Sequence, residues 1–266
     1  MDKPSIFISG GAGGIGLATA KHFAARGWRV GIGDVNPAQL AQARAEADVE
    51  TFEHDVTDYA AWERVLEAFC GPDGGLDALV NNAGVLTFGW LDEEDPASFA
   101  AVVDVNVKGV IYGSHAGVKR LARGTHPCLV NLGSLASLQA PPILALYAAT
   151  KFAVRGLSEA LDLAYLRHGV RVACIEPFCV DTPMLDVDAP SGQNYRAAVQ
   201  AQEILAVEDV ASAIWDAVHG EALHYPVGAS PSQIISEIGP RFEAERARLR
   251  QAYGLQPPAP RPRPAS

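Results

Sequence analysis

Basic stretches, paired cysteines and long apolar runs are all missing from this 266-residue chain. With 21 lysines and arginines against 31 aspartates and glutamates, the formal net charge is −10 and the pI about 5.1. A surface of that sign repels nucleic acid and anionic membrane, so neither is expected as a partner. No apolar run approaches the ~20 residues of a membrane span. Met1-Asp2-Lys3-Pro4 passes directly into an apolar strand without a charged-then-apolar leader, which makes a cytoplasmic location the expectation. Cys70, Cys128, Cys174 and Cys179 form no C-x-x-C pair and no metal-like grouping in sequence with the seven histidines. Free buried thiols and no metal site are the reading. What remains is 48% hydrophobic and 20% charged, the composition of an ordinary globular protein with one sizeable core.

The apolar pattern alternates between strand and helix. A short apolar run at 5–9 meets Gly10-Gly11-Ala12-Gly13-Gly14-Ile15-Gly16 and then an alanine-rich helical stretch to about residue 26. Further buried strands are predicted at 29–33, closing on Asp34, and at 49–53, 76–80, 127–132, 170–175 and 223–227. Helices fall between them. One starts at Pro37 after Asn36, where a missing N–H costs nothing. Another carries Trp62, Val65, Leu66 and Phe69 at helical spacing, and a long one runs from Asp95-Pro96 to about residue 123 with Asn106 inside it. Two more are predicted at 147–167, stopped by His168-Gly169, and at 207–218. This rhythm implies an α/β fold: a three-layer, doubly wound parallel sheet of about seven strands, with helices on both faces and right-handed crossovers. No linker interrupts 5–227, so 1–228 reads as one domain. An arginine-rich amphipathic helical extension is expected in 229–255, and a disordered or polyproline-II tail in the proline-rich 256–266.

Three features carry chemistry. A glycine turn between a first strand and its helix lets backbone N–H groups approach a pyrophosphate at the helix N-terminus, and Gly10, Gly14 and Gly16 are the candidates. Asp34, at the end of the second strand, is placed to accept hydrogen bonds from an adenosine ribose and to repel a 2′-phosphate. Neither Ala12, Gly13 nor Val35 offers a cation to hold that phosphate, so NAD is expected over NADP. Tyr147 and Lys151 are one helical turn apart on one face, roughly 6 Å along the axis. Bringing a phenol from about 10 toward 7 needs about 4 kcal/mol, and a lysine cation about 5 Å away at an effective dielectric of about 20 supplies about 3 kcal/mol. Lys151 is therefore expected to do most of the tuning. Proton removal from an alcohol needs such a base within ~3 Å of the oxygen, and Ser134, at a predicted strand end, is placed to donate to the same oxygen.

Ser9-Gly10-Gly11-Ala12-Gly13-Gly14-Ile15-Gly16, Asn81-Asn82-Ala83-Gly84, Asn106, Ser134 and Tyr147-x-x-x-Lys151 occur in an order and spacing that resemble the short-chain dehydrogenase/reductase family, over about residues 5–228. The resemblance implies a Rossmann-like sheet in the order 3-2-1-4-5-6-7 and nicotinamide-dependent oxidation of alcohols or reduction of carbonyls. It makes Tyr147 the general acid/base, has Lys151 lower the pKa of Tyr147 and hold the nicotinamide ribose, gives Ser134 a hydrogen bond to the substrate oxygen, and lets Asn106 steady a water in the proton path. It assigns Ser9, Gly10, Gly14, Ile15 and Gly16 to the cofactor turn, lays Asp55 and Val56 against the adenine, and has Asn82, Ala83 and Gly84 shape the cleft. Pro177, Val180 and Thr182 join the cofactor side, with Thr182 at the carboxamide. A homodimer or homotetramer is implied, joined through the long helices that carry Asn106 and Tyr147.

The chain departs from the family pattern at three places. Ser9 replaces a Thr and keeps the hydroxyl, Gly133 precedes Ser134 where a second Ser is common, and Phe178 follows Pro177 where Gly is usual. The bulk of Phe178 is expected to narrow the pocket or move its loop. Substrate walls are expected from Leu86, Phe88, Ile143, Leu144, Phe178 and Met184, whose apolar character points to a hydrophobic secondary alcohol or ketone. Two other readings share these features. One is a catalytically idle NAD-binding regulatory or assembly protein, which the intact Ser134, Tyr147 and Lys151 set opposes. The other is a sugar-nucleotide epimerase or dehydratase, which the short chain after the sixth strand opposes.

Overall fold

Side chains in β1 (Ser5–Ser9) alternate between two cores: Ile6 and Ile8 point to one face of the sheet and Phe7 to the other. That two-sided burial recurs through the sheet, because helices cover both faces. The computed structural model describes residues 3–256 and 261–262. After β1 come α1 (Gly14–Ala24), β2 (Arg29–Asp34), α2 (Pro37–Glu46), β3 (Glu50–Glu53), α3 (Tyr59–Cys70) and β4 (Ala78–Asn81). The second half adds α4 (Phe99–Val103), α5 (Gly109–Leu121), β5 (Cys128–Leu132), α6 (Ala145–Ala164), β6 (Arg171–Pro177), α7 (Tyr195–Val199), α8 (Val207–His219), β7 (His224–Val227) and α9 (Ala229–Tyr253). The seven strands are parallel, in the order β3-β2-β1-β4-β5-β6-β7.

On one face, Phe23 of α1, Leu40 of α2 and Ile214 of α8 pack on Ile8, Ile32 and Val130. On the other, Trp62, Leu66 and Phe69 of α3 and Leu121 of α5 pack on Phe7, Leu79 and Leu129. Strand order reverses between β1 and β4, and a crevice opens there at the C-terminal ends of the strands.

Several boundaries differ from the sequence expectation. β6 runs two residues beyond 175, to Pro177, because β7 pairs with it to the end, Pro177 facing Val227. The single long helix expected from 95 is interrupted. A short 3-10 turn, Pro96–Ser98, leads into α4, and a π-helical stretch, Asp104–Lys108, separates α4 from α5 with Asn106 at its centre. Such bulges swing a side chain out of the regular helical face.

Beyond the sheet, α9 is tied to α6 by a buried two-pronged pair. Arg246 Nε and Nη2 donate to Asp162 Oδ2 and Oδ1 at 2.5 and 2.8 Å. In the proline-rich end, Arg261 pairs with Asp77 and the Thr125 carbonyl, and its guanidinium sits 5.0 Å over the Trp28 ring. The rest of the expected tail, 257–260 and 263–266, lies outside the described residues. Among the described residues no helix is long and apolar enough to cross a membrane.

Candidate active site

A cleft of about 580 Å³ opens at the strand ends, glycine-lined at one end and apolar at the other. Gly10 adopts a φ of +60, and a Cβ there would stand 2.8 Å from Ala83 Cα, so the position needs both the left-handed backbone and the missing side chain. Gly13 leads into α1 with no side-chain cap, and a Cβ on it would meet nothing within 4 Å. The first N–H groups of α1 thus have no side-chain cap, and Gly10, Gly13, Gly14 and Ile15 all line the cleft. Gly16 and Ser9 serve the turn from behind rather than as walls. A Cβ on Gly16 would fall 2.2 Å from Gly10 O, and the buried Ser9 Oγ accepts from Asn82 N and Ala83 N at 3.1 and 3.2 Å. Asn82 completes the staple, its Nδ2 donating to Ser9 O and Gly10 O at 3.0 and 2.8 Å.

Asp34 lines the cleft, and its two carboxylate oxygens accept from Ala12 N and Asn36 N, each at 3.2 Å. It does not cap α2, since Asn36 Oδ1 does so through Ala38 N and Gln39 N. Asp55 and Val56 stand apart from the cleft walls. Asp55 is exposed and accepts from the N and Oγ1 of Thr57, both at 2.8 Å, while Val56 is buried under α3 and its carbonyl accepts from Trp62 Nε1. Asn82, Ala83, Gly84, Pro177, Val180 and Thr182 all line the cleft, and a Cβ on Gly14 would lie 3.2 Å from Thr182 Cγ2.

At the floor, Tyr147 and Lys151 of α6 are 8% and 5% exposed. Lys151 Nζ donates to Leu132 O at 2.8 Å and lies 5.6 Å from the centre of the Tyr147 ring. Ser134, two residues beyond β5, accepts from Ala136 N at 3.1 Å and lies within hydrogen-bonding reach of the Tyr147 phenol. Burial pushes the Tyr147 phenol up to about 12, against the lowering effect of the Ser134 hydrogen bond. Burial likewise pulls the Lys151 ammonium down to about 8. The expectation that Lys151 does most of the tuning thus needs correcting for the protein by itself. Desolvation dominates at both groups, because the charged form of each is disfavoured in a dry site.

Asn106 is fully buried and both its amide hydrogens are committed. Nδ2 donates to Val85 O at 2.8 Å and Thr150 Oγ1 at 3.1 Å, and Oδ1 accepts from Val85 N at 2.8 Å. Its side chain clamps the segment after β4 onto α6, a positioning task.

Leu86, Ile143, Leu144, Phe178 and Met184 line the apolar end as expected, but Phe88 does not. It is 3% exposed and packs behind the wall, its ring 4.9 Å from that of Tyr195, and Tyr195 takes the place at the cleft. Cys179 and Tyr195 bound a segment expected from the sequence to supply substrate walls, but neither side chain is singled out there, because α7 is a five-residue helix with no periodic signal. Phe178 lines the cleft without closing it. Its N donates to Val227 O at 3.0 Å, its ring packs on the core, and Gly228 leaves it room, since a Cβ there would be 3.2 Å from Phe178 Cβ. Gly133 has a similar reason. Behind it lie Cys174, Glu176 and His224, whose donor atoms fall within 4.8 Å of one another, a grouping that their sequence spacing hides. His224 Nδ1 meets Glu176 Oε1 at 2.6 Å and its Nε2 lies 3.6 Å from Glu159 Oε1, which makes the cluster a buried ion network.

A family profile described as short chain dehydrogenase matches residues 4–191. The chain belongs to the short chain dehydrogenase family. A 3-alpha-(or 20-beta)-hydroxysteroid dehydrogenase of Mycobacterium tuberculosis is 36% identical over 181 residues, 67% of this chain and 70% of the relative. A cyclopentanol dehydrogenase of Comamonas testosteroni is 31% identical over 199 residues, covering 72% and 79%. Among solved structures, levodione reductase superposes with a TM-score of 0.76 at 25% identity, over 88% of this chain and 98% of that one. A structure described as ElxO with NADP bound shares the fold at 23% identity and a TM-score of 0.75. This short chain dehydrogenase is an oxidoreductase of a family that binds nicotinamide dinucleotide, and its cleft fits that group. The uncapped start of α1 beside Gly13 suits a pyrophosphate, and Asp34 at the strand end suits a hydroxylated ribose.

Proposed function

We propose that the protein interconverts a hydrophobic secondary alcohol and its ketone with NAD, using Tyr147 as general acid/base. The observation that carries this is the meeting of Ser134, Tyr147 and Lys151 at the floor of one cleft, between the glycine turn with Asp34 and a wall of apolar side chains. When bound, nicotinamide dinucleotide supplies the hydride acceptor or donor. Gly10, Gly13, Gly14, Ile15 and Thr182 would hold its phosphates and nicotinamide end, and Asp34 its adenosine ribose. The Asp34 carboxylate, with no cation at Ala12, Gly13 or Val35, supports NAD over NADP.

Ser134 orients the substrate oxygen toward Tyr147. In the reductive direction the phenol, protonated at neutral pH, is ready to give its proton to that oxygen. In the oxidative direction the phenol must come down from about 12 toward 7, a change of about 7 kcal/mol. Lys151 contributes about 3 kcal/mol of that at an effective dielectric of about 20. Its Leu132 hydrogen bond keeps the ammonium at the floor of the cleft. Exposed Val103, Ile111 and Phe152, on α4, α5 and α6, support a homodimer or homotetramer joined through those helices.

The test is the Tyr147→Phe variant. Screened against cyclic, terpenoid and steroid alcohols, the natural protein forms NADH and the variant forms none, while NAD binding stays within a few-fold. Full activity in the variant would reject the assignment.

A further inference from the structure

Away from Ser134, Tyr147 and Lys151 the cleft wall is apolar, with Leu86, Ile143, Leu185 and Val199 among its residues, yet a second phenol stands among them. Tyr195 is 8% exposed. Among the described residues its hydroxyl meets one partner, Cys179 Sγ at 3.9 Å, a long contact to a weak sulfur acceptor. Burial raises the pKa of Tyr195, as do the neighbouring Cys179 and Tyr147, so the group carries its proton throughout the neutral range.

The ring is also held still. It packs on Phe88 with centroids 4.9 Å apart, and Tyr195 N donates to Val187 O at 2.9 Å. Asn194 caps α7, and Arg196 ties the segment down through Asp186, Asp181 and the Thr182 carbonyl at 2.5, 2.6 and 3.0 Å. A phenylalanine would fill the same space and keep the ring contact. The hydroxyl adds the cost of a poorly satisfied buried donor, which is recovered when an acceptor enters the cleft.

We propose that the Tyr195 hydroxyl donates to a second oxygen of the substrate. The preferred alcohol or ketone then carries two oxygen functions on one hydrophobic frame, the reacting one at Ser134 and Tyr147 and an acceptor at Tyr195. This inference rests on the alcohol–ketone reading of the same cleft and names its substrate class more closely.

The test pairs ligands that differ by one oxygen. Binding of cyclohexane-1,4-dione and decalin-1,5-dione is compared by calorimetry with that of cyclohexanone and decalone, and NADH formation is followed in parallel on the matching alcohols. The natural protein should prefer the two-oxygen member. Tyr195→Phe should weaken it about 3- to 10-fold, as for one lost neutral hydrogen bond, and leave the one-oxygen member within about two-fold. Cys179→Ala, which frees the hydroxyl, should keep or strengthen two-oxygen binding. Equal losses on both members, or no loss on either, overturn the proposal. The expected split in binding without NADH formation keeps the Tyr195 assignment and sinks the alcohol–ketone reading. NADH formation without the split does the reverse, and failure of the natural protein to bind any of the four overturns both.

Discussion

Replacing Lys151 with methionine is expected to stabilise the protein while ending its turnover. The ammonium is 5% exposed, and burial pulls its pKa from 10.5 to about 8. That gap corresponds to about 3 kcal/mol of penalty on the charged form at neutral pH. Methionine fills much the same space without a charge, and losing the Nζ bond to Leu132 O returns about 1 to 2 kcal/mol of that gain. The net is about 1 to 2 kcal/mol, or about 2 to 4 °C in Tm for a chain of this length. The pH dependence has a definite sign. Because the folded pKa lies below the unfolded one, the unfolded state binds the extra proton between pH 8 and 10.5, and the wild-type protein gains stability from this group across that window. The advantage of Lys151→Met is therefore full at pH 7 and shrinks toward pH 10.5. Urea unfolding of both proteins at pH 7 and pH 10 measures it. A variant less stable than the parent at pH 7, or a gap that does not close with pH, refutes the reasoning.

His224 behaves in the opposite sense. Burial alone lowers its pKa, but the Glu159 and Glu176 carboxylates outweigh burial and raise it to about 9. Its contribution, up to about 3 kcal/mol, is complete below pH 6.5 and fades as pH rises through 9. His224→Gln should flatten that decline in urea unfolding midpoints, and an unchanged slope would count against the buried pair. Gly133→Ser, although serine is common there in the family, should cost about 1 to 3 kcal/mol. Its Cβ would meet Cys174 Sγ, Ile175 O and Glu176 Cγ at 3.0, 3.1 and 3.3 Å, and a Tm equal to that of the parent would show that the strand gives way. Asp34→Ala should weaken NAD binding by about 1 to 3 kcal/mol and narrow the preference over NADP in fluorescence titrations. An unchanged cofactor ratio would remove Asp34 from the ribose site.

Backbone conformation and the side of an element that faces the core are local properties, and the chain declares them locally. Ile6, Phe7 and Ile8 read as a strand buried on both faces, and Trp62, Val65, Leu66 and Phe69 as one helical stripe, so the layers and strand rhythm could be written down in advance. The glycine turn and the four-residue spacing of Tyr147 and Lys151 were legible for the same reason: each lies within one turn or one helix. Distances across the fold were not. Glu176 and His224 are 48 residues apart, and only the pairing of β6 with β7 makes them a buried pair that requires glycine at 133. The exchange of Phe88 for Tyr195 at the cleft wall depends on how α7 folds back over the strand ends. The ionisation of Tyr147 depended on tertiary structure most of all. Spacing set the lysine beside the phenol, but the depth of burial, which belongs to the whole fold, decided that both lose their surrounding water and that the phenol rises instead of falling.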